Sequence, residues 1–417
     1  MQAEIIAVGS EMLTPYRQDT NSLYLTAGLN DLGVTVACKT IVGDNLQHLT
    51  SAARTALTRA DIVIFSGGLG PTEDDLTREA AAAALNLPLR SDPAVIESLE
   101  RRFAARNLVM SPNNRKQADV IEGFTVLNNP NGSAPGQYID TTHDGHRRIV
   151  LLLPGPPSEL KPLFDQVARP LLAAALPPSF LARRTLRMAL IPESHVDART
   201  APIYQRFTDV ETTILAGRGE IQLHFACTKP TLAEAQARVD EVASLIEAEM
   251  QDDIFSSHDE SLEEIVLLML GMRHLTLAVA ESCTGGLIAE RLTEVSGSSR
   301  TFLGGAVVYT NALKTTFANV SAGLIATHGA ISEPVARALA EGIRQRTGAS
   351  IGIGVTCIAG PTPGTEADAN KPVGLLYVAL AYEQQTSVKE LRLTGDRERI
   401  RWWASQHALD LLRRTLL

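Results

Sequence analysis

The chain has 417 residues, 38 of them basic and 47 acidic, for a formal net charge of -9. Hydrophobic residues make up 45% and charged residues 20%, an ordinary globular balance that sets disorder aside, and the length calls for two or three domains. The acidic surplus repels a phosphate backbone, so nucleic acid is not expected as a partner. The clusters Arg183/Arg184/Arg187 and Arg397/Arg399/Arg401 are too short for such a footprint and read as solvated faces. No run of roughly 18 apolar residues occurs, and the N-terminus MQAEIIAVGS lacks the pattern of a signal peptide. A cytoplasmic protein without a membrane partner is expected. Cys38, Cys227, Cys283 and Cys357 lie far apart with no CxxC pair, so neither a disulfide framework nor a cysteine zinc site is expected, only buried or site-lining thiols.

In chain order, EIIAV, a helix from about Thr20 to Leu32, VTVACKTIV, a helix from about Leu46 to Arg59, and DIVIF alternate strand with helix. That alternation predicts a parallel sheet with helices on both faces, whose ligands bind beyond the carboxyl ends of the strands. A hairpin-like pair follows from Gly136 to Leu153, then a helix from Ser158 toward Leu172, and LPPS at 176–179 marks the first seam. Strand TLRMALI, a helix, the strand pair ETTILAGRGEIQLHFAC and a long helix from Leu232 to Met250 predict a small α+β unit of the split βαβ kind. After SSHDES come a helix from Leu262 to Gly271, TLAVA, a glycine-rich turn into a helix, AVVYT, a helix from Pro334 to Thr347, SIGIGVT, GLLYVALA and an Arg-rich closing helix. The expected division is 1–177, 178–257 and 258–417.

In the first domain DIVIF runs into SGGLGPTEDD. Gly67, Gly68 and Gly70 let the backbone approach a ligand, and their N–H groups with a helix N-terminus can hold a phosphate. Thr72 and the acids Glu73, Asp74 and Asp75 follow at once, and such hard oxygen ligands suit a divalent cation bridging to that phosphate. The segments GSE at Gly9 to Glu11, DTN at Asp19 to Asn21 and VGD at Val42 to Asp44 sit at strand ends or helix starts on the same side.

In the last domain TLAVA ends in AESCTGG, which sets Ser282 and Cys283 beside Gly285 and Gly286 where a helix starts. A side-chain nucleophile there would stand next to backbone N–H groups able to stabilise an oxyanion. The following SGSSRTFLGGAVVYTNALKTT adds Ser298, Ser299, Tyr309 and Lys314, with no His nearby. A hydrolase without His uses a desolvated lysine to take the serine proton, which makes Lys314 the candidate base. Ser282 beside two glycines is physically as attractive a nucleophile as Ser299.

GGLGPTEDDLT and the shorter segments around it resemble the molybdopterin-binding fold, and AESCTGG, GSSRTFLGGAVVYTNALK and GVTCIAGP in that order resemble the nicotinamide-nucleotide amidase domain of the CinA family. The resemblance covers the whole chain and implies a molybdopterin-binding-like parallel α/β sheet, a small α+β KH-like unit and a C-terminal α/β amidase domain. It implies deamidation of nicotinamide mononucleotide, with Ser299 and Lys314 as the catalytic pair. Ser282, Tyr309 and Thr356 would line the site, and Arg397 or Arg399 would face the phosphate. For the first domain it implies cleavage of the ADP-ribose pyrophosphate with Mg, Mn or Co held by Glu11, Asp74 and Asp75, and no cofactor for the amidase. In cofactor-synthesis relatives an Arg-Asp pair follows the glycine loop; Asp75 matches the Asp while Asp74 replaces the Arg, which argues against pterin adenylation. A homodimer is also implied. Cys357 stands where the family has Gly after Thr356, which would strain the loop if that position needs a positive φ. The loop PTPGTEADANKPVG is longer than the family's version. The rival expectation is a protein that binds a pterin or nucleotide without turnover. An RNA-binding KH unit is disfavoured, because Gly217 and Gly219 of AGRGE do not make a GxxG clamp.

Overall fold

The computed structural model describes residues 1–364 and 366–417, and Thr365 of the long loop lies outside the described residues. The chain forms two compact units, one of Met1–Ala182 with Thr228–Ala235 and one of Arg183–Cys227 with Gln236–Leu417.

The first unit runs β1 (Gln2–Val8), α1 (Asn21–Asn30), β2 (Thr35–Val42), α2 (Leu46–Arg59), β3 (Ile62–Ser66), α3 (Thr77–Leu85), β4 (Leu89–Ser91), α4 (Pro93–Ala104), β5 (Asp119–Ile121), β6 (Thr125–Leu127), β7 (Gly136–His143), β8 (His146–Leu153), α5 (Pro157–Leu163) and α6 (Arg169–Ala175). Its six-stranded sheet has the order β2-β1-β3-β8-β7-β6. Strands β1, β2, β3 and β8 are parallel, and β7 and β6 add antiparallel. The near-continuous apolar runs of β1, β3 and β8 arise because both faces are covered. Ile6, Val63, Phe65, Val150 and Leu152 pack with α2 and α3 on one face, while Ile5, Ile62, Ile64, Ile149 and Leu151 pack with α1 and α5 on the other. Asn45 caps α2 by accepting from the backbone N–H of Gln47 and His48.

The helix expected from Ser158 toward Leu172 is found, as α5, a π turn over Phe164–Ala168, and α6 in direct succession. Pro162 and Pro170 lack the N–H that a regular ladder needs, and the π turn lies between them in an unbroken helical run.

In the second unit β9 (Phe180–Ala189), α7 (Glu193–Tyr204), β10 (Glu211–Ala216), β11 (Glu220–Lys229), α8 (Leu232–Met250) and β12 (Ile254–Ser256) build a sheet of order β10-β11-β9-β12. Then come α9 (Leu262–Met272), β13 (Leu277–Glu281), α10 (Leu287–Thr293), β14 (Phe302–Val307), α11 (Asn311–Ala318), α12 (Ala322–His328), α13 (Glu333–Thr347), β15 (Ile351–Cys357), β16 (Leu375–Tyr382), β17 (Gln385–Arg392) and α14 (Arg397–Thr415). Their sheet has the order β14-β13-β15-β16-β17, parallel through β14, β13 and β15 and antiparallel beyond. Ala189 and Phe255 share one apolar cluster with Leu262, Val266, Leu376 and Leu409, so the small sheet and the C-terminal sheet have a common core.

Two expectations shift here. The strand read as AVVYT ends at Val307, leaving Tyr309 and Thr310 past it and extending the strand back through Gly304 and Gly305. A Cβ on Gly305 would meet the Val279 carbonyl oxygen at 2.4 Å, so glycine is what lets β14 lie against β13. Strand β17 was not legible, because QTSVKELR is polar and sits at the exposed edge of the sheet.

Helix α13 packs its small-residue face closely against α11. A Cβ on Gly342 would meet the Ala318 carbonyl oxygen at 1.7 Å. Helix propensity alone favours Gly342→Ala. The clash reverses that sign, and urea unfolding of Gly342→Ala is expected to show a loss of about 1–3 kcal/mol.

Candidate functional site

Two cavities lie beyond the carboxyl ends of parallel strands, one in each unit. The N-terminal cavity, about 690 Å³, is lined by Gly9, Glu11, Asn21, Gly67, Gly68, Gly70, Thr72, Asp74, Asp75 and Glu159, among others. Of the residues singled out in SGGLGPTEDD all but Glu73 meet there, together with Glu11. The glycine loop needs its glycines: Gly67 and Gly68 have φ of 108° and 66°, and a Cβ on Gly67 would meet the Val8 carbonyl oxygen at 2.4 Å. Arg78 holds the loop from beneath. It is 1% exposed and donates to the carbonyls of Leu69 (2.8 Å) and Gly70 (3.0 Å). Thr77 donates through Oγ1 to the Gly67 carbonyl at 2.8 Å. Asn21 donates to Ser66 Oγ and to the Gly155 carbonyl, tying the loops after β3 and β8 together.

Some expected roles change. The Gly67 N–H is taken by the Leu153 carbonyl at 2.9 Å, which leaves phosphate contact to the N–H groups further along the loop. Asp75 accepts through Oδ2 from Thr72 N (2.8 Å) and Thr72 Oγ1 (2.5 Å), which ties that one carboxylate oxygen to its own turn. Asp44 likewise accepts from Ser10 N. Thr72 beside it, and its own backbone, hold the exposed Asp74 carboxyl below the usual carboxylate range. Among the described residues no three His, Cys, Asp or Glu side chains converge as a metal cluster. Glu11, Asp74 and Asp75 line the cavity, carboxylates of the kind that would hold a magnesium-like ion together with substrate phosphates.

The C-terminal cavity, about 730 Å³, is lined by Ser282, Cys283, Tyr309, Lys314, Cys357, Asp368 and Arg397, among others. Lys314 sits in the first turn of α11, whose N-cap Thr310 accepts from Leu313 N. Its side chain turns inward, is 2% exposed, and donates to the carbonyls of Val308 (3.1 Å) and Tyr309 (3.4 Å). Burial pushes the amine down from the ordinary 10.5 to about 8, with the Asp368 carboxylate opposing the shift. Arg397 donates to the Tyr309 hydroxyl and to the Gly360 carbonyl, each at 2.9 Å. Asp368 accepts from Ala330 N, Ile331 N and Lys371 Nζ, fastening the long loop to the turn between α12 and α13.

Glu281, buried at the end of β13, accepts from Gly286 N, Ile288 N and Ala289 N. A carboxylate at a helix N-terminus is stabilised by those donors and by the helix dipole. The Gly286 N–H is thereby occupied, which removes it from the expected oxyanion donors, and neither Gly285 nor Gly286 borders the cavity. Thr356 is fully buried and donates to the Ala330 carbonyl at 2.9 Å; its neighbour Cys357 faces the cavity instead. Arg399 lies against Trp403 and borders a different cavity.

Ser299 does not meet Lys314 within one chain. Strand β14 starts beside the start of β13 (Phe302 with Leu277), and its end lies beside the end of β13 (Val307 with Glu281). Ser299 precedes the start and is exposed, whereas Ser282, Tyr309 and Lys314 follow the ends. Four strand steps, about 13 Å, separate the two edges.

The cysteines depart most from expectation. Cys283 and Cys357 are paired as a disulfide, with Cα atoms 5.6 Å apart. Their separation of 74 residues in sequence hid a juxtaposition made by neighbouring parallel strands. Cys357 ends β15 without a positive φ, so the strain anticipated from the missing glycine is absent. Arg78, Glu281 and Asp368 also escaped sequence reading. The acid of AESCTGG, at a strand end one turn before a helix, was the available signal for Glu281.

A three-part α/β protein with a cavity at the carboxyl ends of the parallel strands in each of two mixed sheets is what the fold and sites define. Residues 4–174 match the family profile described as "Probable molybdopterin binding domain", 183–256 that of "Damage-inducible protein CinA KH domain", and 259–416 that of "CinA C-terminal domain". The chain is 60% identical over 417 residues to a CinA-like protein of Acidobacterium capsulatum and 55% identical to one of Koribacter versatilis, with all of each chain covered. It is 45% identical to a CinA-like protein of Solibacter usitatus, covering 98% of that chain. It belongs to the CinA family. Among the described residues no helix is long and apolar enough to cross a membrane.

The buried amine makes stability depend on pH with a defined sign. Unfolded, Lys314 keeps its proton up to the ordinary 10.5, whereas folded it gives the proton up near 8. The unfolded state therefore binds more protons between those values, and stability rises with pH across that window. Relative to Lys314→Met, the native chain is expected to gain on the order of 2–3 kcal/mol between pH 7.5 and 10.5 in paired urea titrations.

Proposed function

We propose that the C-terminal cavity hydrolyses the carboxamide of nicotinamide mononucleotide to the acid and ammonia. The observation that carries this reading is Lys314, an amine desolvated to a pKa of about 8 in the wall of a cavity that also holds a serine. Such an amine is neutral in a useful fraction near neutral pH and accepts a hydroxyl proton. A serine hydroxyl attacks the carboxamide carbon, Lys314 takes its proton and passes it to the departing ammonia, and water then releases the acid. Arg397, braced by Tyr309 and Gly360, is a fixed cation for the substrate phosphate.

Ser282 is the serine that shares the cavity with Lys314. Ser299 reaches such a cavity only when a second copy supplies it, which gives the family-implied homodimer a testable role. The N-terminal cavity is proposed to bind ADP-ribose. Its loop N–H groups would face the pyrophosphate, and a divalent cation held by Glu11 and Asp74 would offset the phosphate charge. Both activities act on small nucleotides released from pyridine dinucleotides, and we assign the protein to the cytoplasm.

Purified protein with nicotinamide mononucleotide should release ammonia with a kcat/KM that climbs with pH and levels off above about 8, because the base acts only after losing its proton. Lys314→Ala should lower kcat by roughly a thousandfold or more. Ser282→Ala should do the same if the cavity is complete in one chain. Recovery of activity on mixing Ser299→Ala with Lys314→Ala would show instead that two copies share it. Absence of ammonia between pH 6 and 9, with tight calorimetric binding of unchanged ligand, would sink the amidase reading in favour of a binding protein.

For the first unit, ADP-ribose with Mg, Mn or Co should yield AMP, and Glu11→Gln with Asp74→Asn should abolish it. AMP formation that survives the double substitution would remove these carboxylates from the reaction.

A further inference from the structure

Cys283 and Cys357 are placed where a bond between them bears on the chemistry. Each directly follows a residue of the site region, Cys283 after Ser282 and Cys357 after Thr356, and both face the cavity that holds Lys314. They are 5% and 7% exposed, so the cavity is their route to solvent. The strands behind them, β13 and β15, are hydrogen-bonded in parallel, which holds the two Cα atoms 5.6 Å apart, within the span of an ordinary disulfide.

The loop carrying Ser282 has two kinds of anchor. Its flanks are held by the Ser282 N–H on the Val355 carbonyl and by Glu281 on the N–H groups of Gly286, Ile288 and Ala289. The side-chain wall between those flanks is tied to β15 by the cysteine pair alone among the disulfides of the described residues. Bonded sulfurs sit about 2 Å apart, whereas non-bonded sulfurs need roughly 3.5 Å or more. Reduction therefore forces the two side chains apart by more than about 1 Å in a close-packed wall, and displacements of that size at a reacting centre cost about a hundredfold in rate.

We infer that Cys283 and Cys357 form a reversible thiol–disulfide exchange site in the wall of the C-terminal cavity, with a dithiol reductant of the thioredoxin class as its co-substrate, and that the oxidised pair is the working state. A reductant thiolate attacks one protein sulfur through the cavity mouth. The other cysteine leaves as a thiolate and is protonated, and a mixed disulfide forms. The second reductant thiol then displaces the remaining protein sulfur. Two electrons and two protons pass from the dithiol to the pair, giving two protein thiols and the reductant's disulfide. An oxidant of the disulfide class reverses each step. The effect on turnover rests on the amidase reading above; the exchange itself does not.

The full chain is equilibrated across mixtures of reduced and oxidised dithiothreitol, quenched with an alkylating agent, and read three ways. Mass spectrometry should find the peptide linking Cys283 to Cys357 at the oxidised end and two more alkylated thiols at the reduced end. Hydrogen exchange should show residues 281–286 losing protection on reduction. Hydrolysis of nicotinamide mononucleotide should fall at least tenfold on reduction and return on reoxidation, while Cys283→Ser and Cys357→Ser each hold one rate across all mixtures. Two thiols persisting at the oxidised end overturn the proposal, as do equal hydrogen exchange in both states or equal rates in both states. If no hydrolysis occurs in either state, the amidase reading fails, and the mass and exchange measurements still decide whether the pair forms and shapes the loop.

Discussion

Parallel pairing of strands is the constraint on which both sites depend. It brings the carboxyl ends of neighbouring strands to one edge of a sheet, and the segments leaving those ends must form the ligand surface there. In the first unit that edge collects the loops after β1, β3 and β8, which come from residues near 9, 67 and 155. In the second it collects the segments after β13, β14 and β15, so Ser282, Tyr309, Lys314 and Cys357 converge although they span much of the C-terminal part. The same rule separates what sequence placed together. Ser299 and Lys314 belong to one continuous motif, yet a strand runs between them, and a strand carries its two ends to opposite edges.

Buried charges in this protein divide by what satisfies them. Arg78 and Glu281 are each met by backbone groups in number, Arg78 by two loop carbonyls and Glu281 by three helix N–H groups. Those bonds make both residues braces, one for each cavity loop. Lys314 is met by two carbonyls and faces Asp368 only at a distance, while burial works against its charge. Burial thus opposes its charge inside the cavity, and a group held in that state is suited to proton transfer.

The long loop from Pro361 to Gly374 is fastened to the rest of its unit at several points. Asp368 reaches back to the backbone of Ala330 and Ile331, and Lys371 adds bonds to the carbonyls of His328 and Ile331. Thr356 bonds to Ala330 from the other side. Thr362, Pro363, Gly364, Ala367 and Asp368 are part of the cavity wall, and the turn after α12 is a junction between the loop and the end of β15.

By itself the sequence determined most of the sheet-core strands and long helices, the order of the three parts and the loops that line the two cavities. Apolar period, glycine and proline positions and the motifs around Gly67, Ser282 and Lys314 are local properties, and α2 is found over Leu46–Arg59 as its pattern requires. It also placed Glu11 with the glycine loop and Lys314 with Ser282 and Tyr309. Only the tertiary structure decided which polar groups were already spent, because the partners of Gly67, Gly286 and Thr356 are supplied by folded geometry. It also decided that Ser299 stands apart and that Cys283 meets Cys357, because register between strands sets distances across a sheet and no local pattern encodes it.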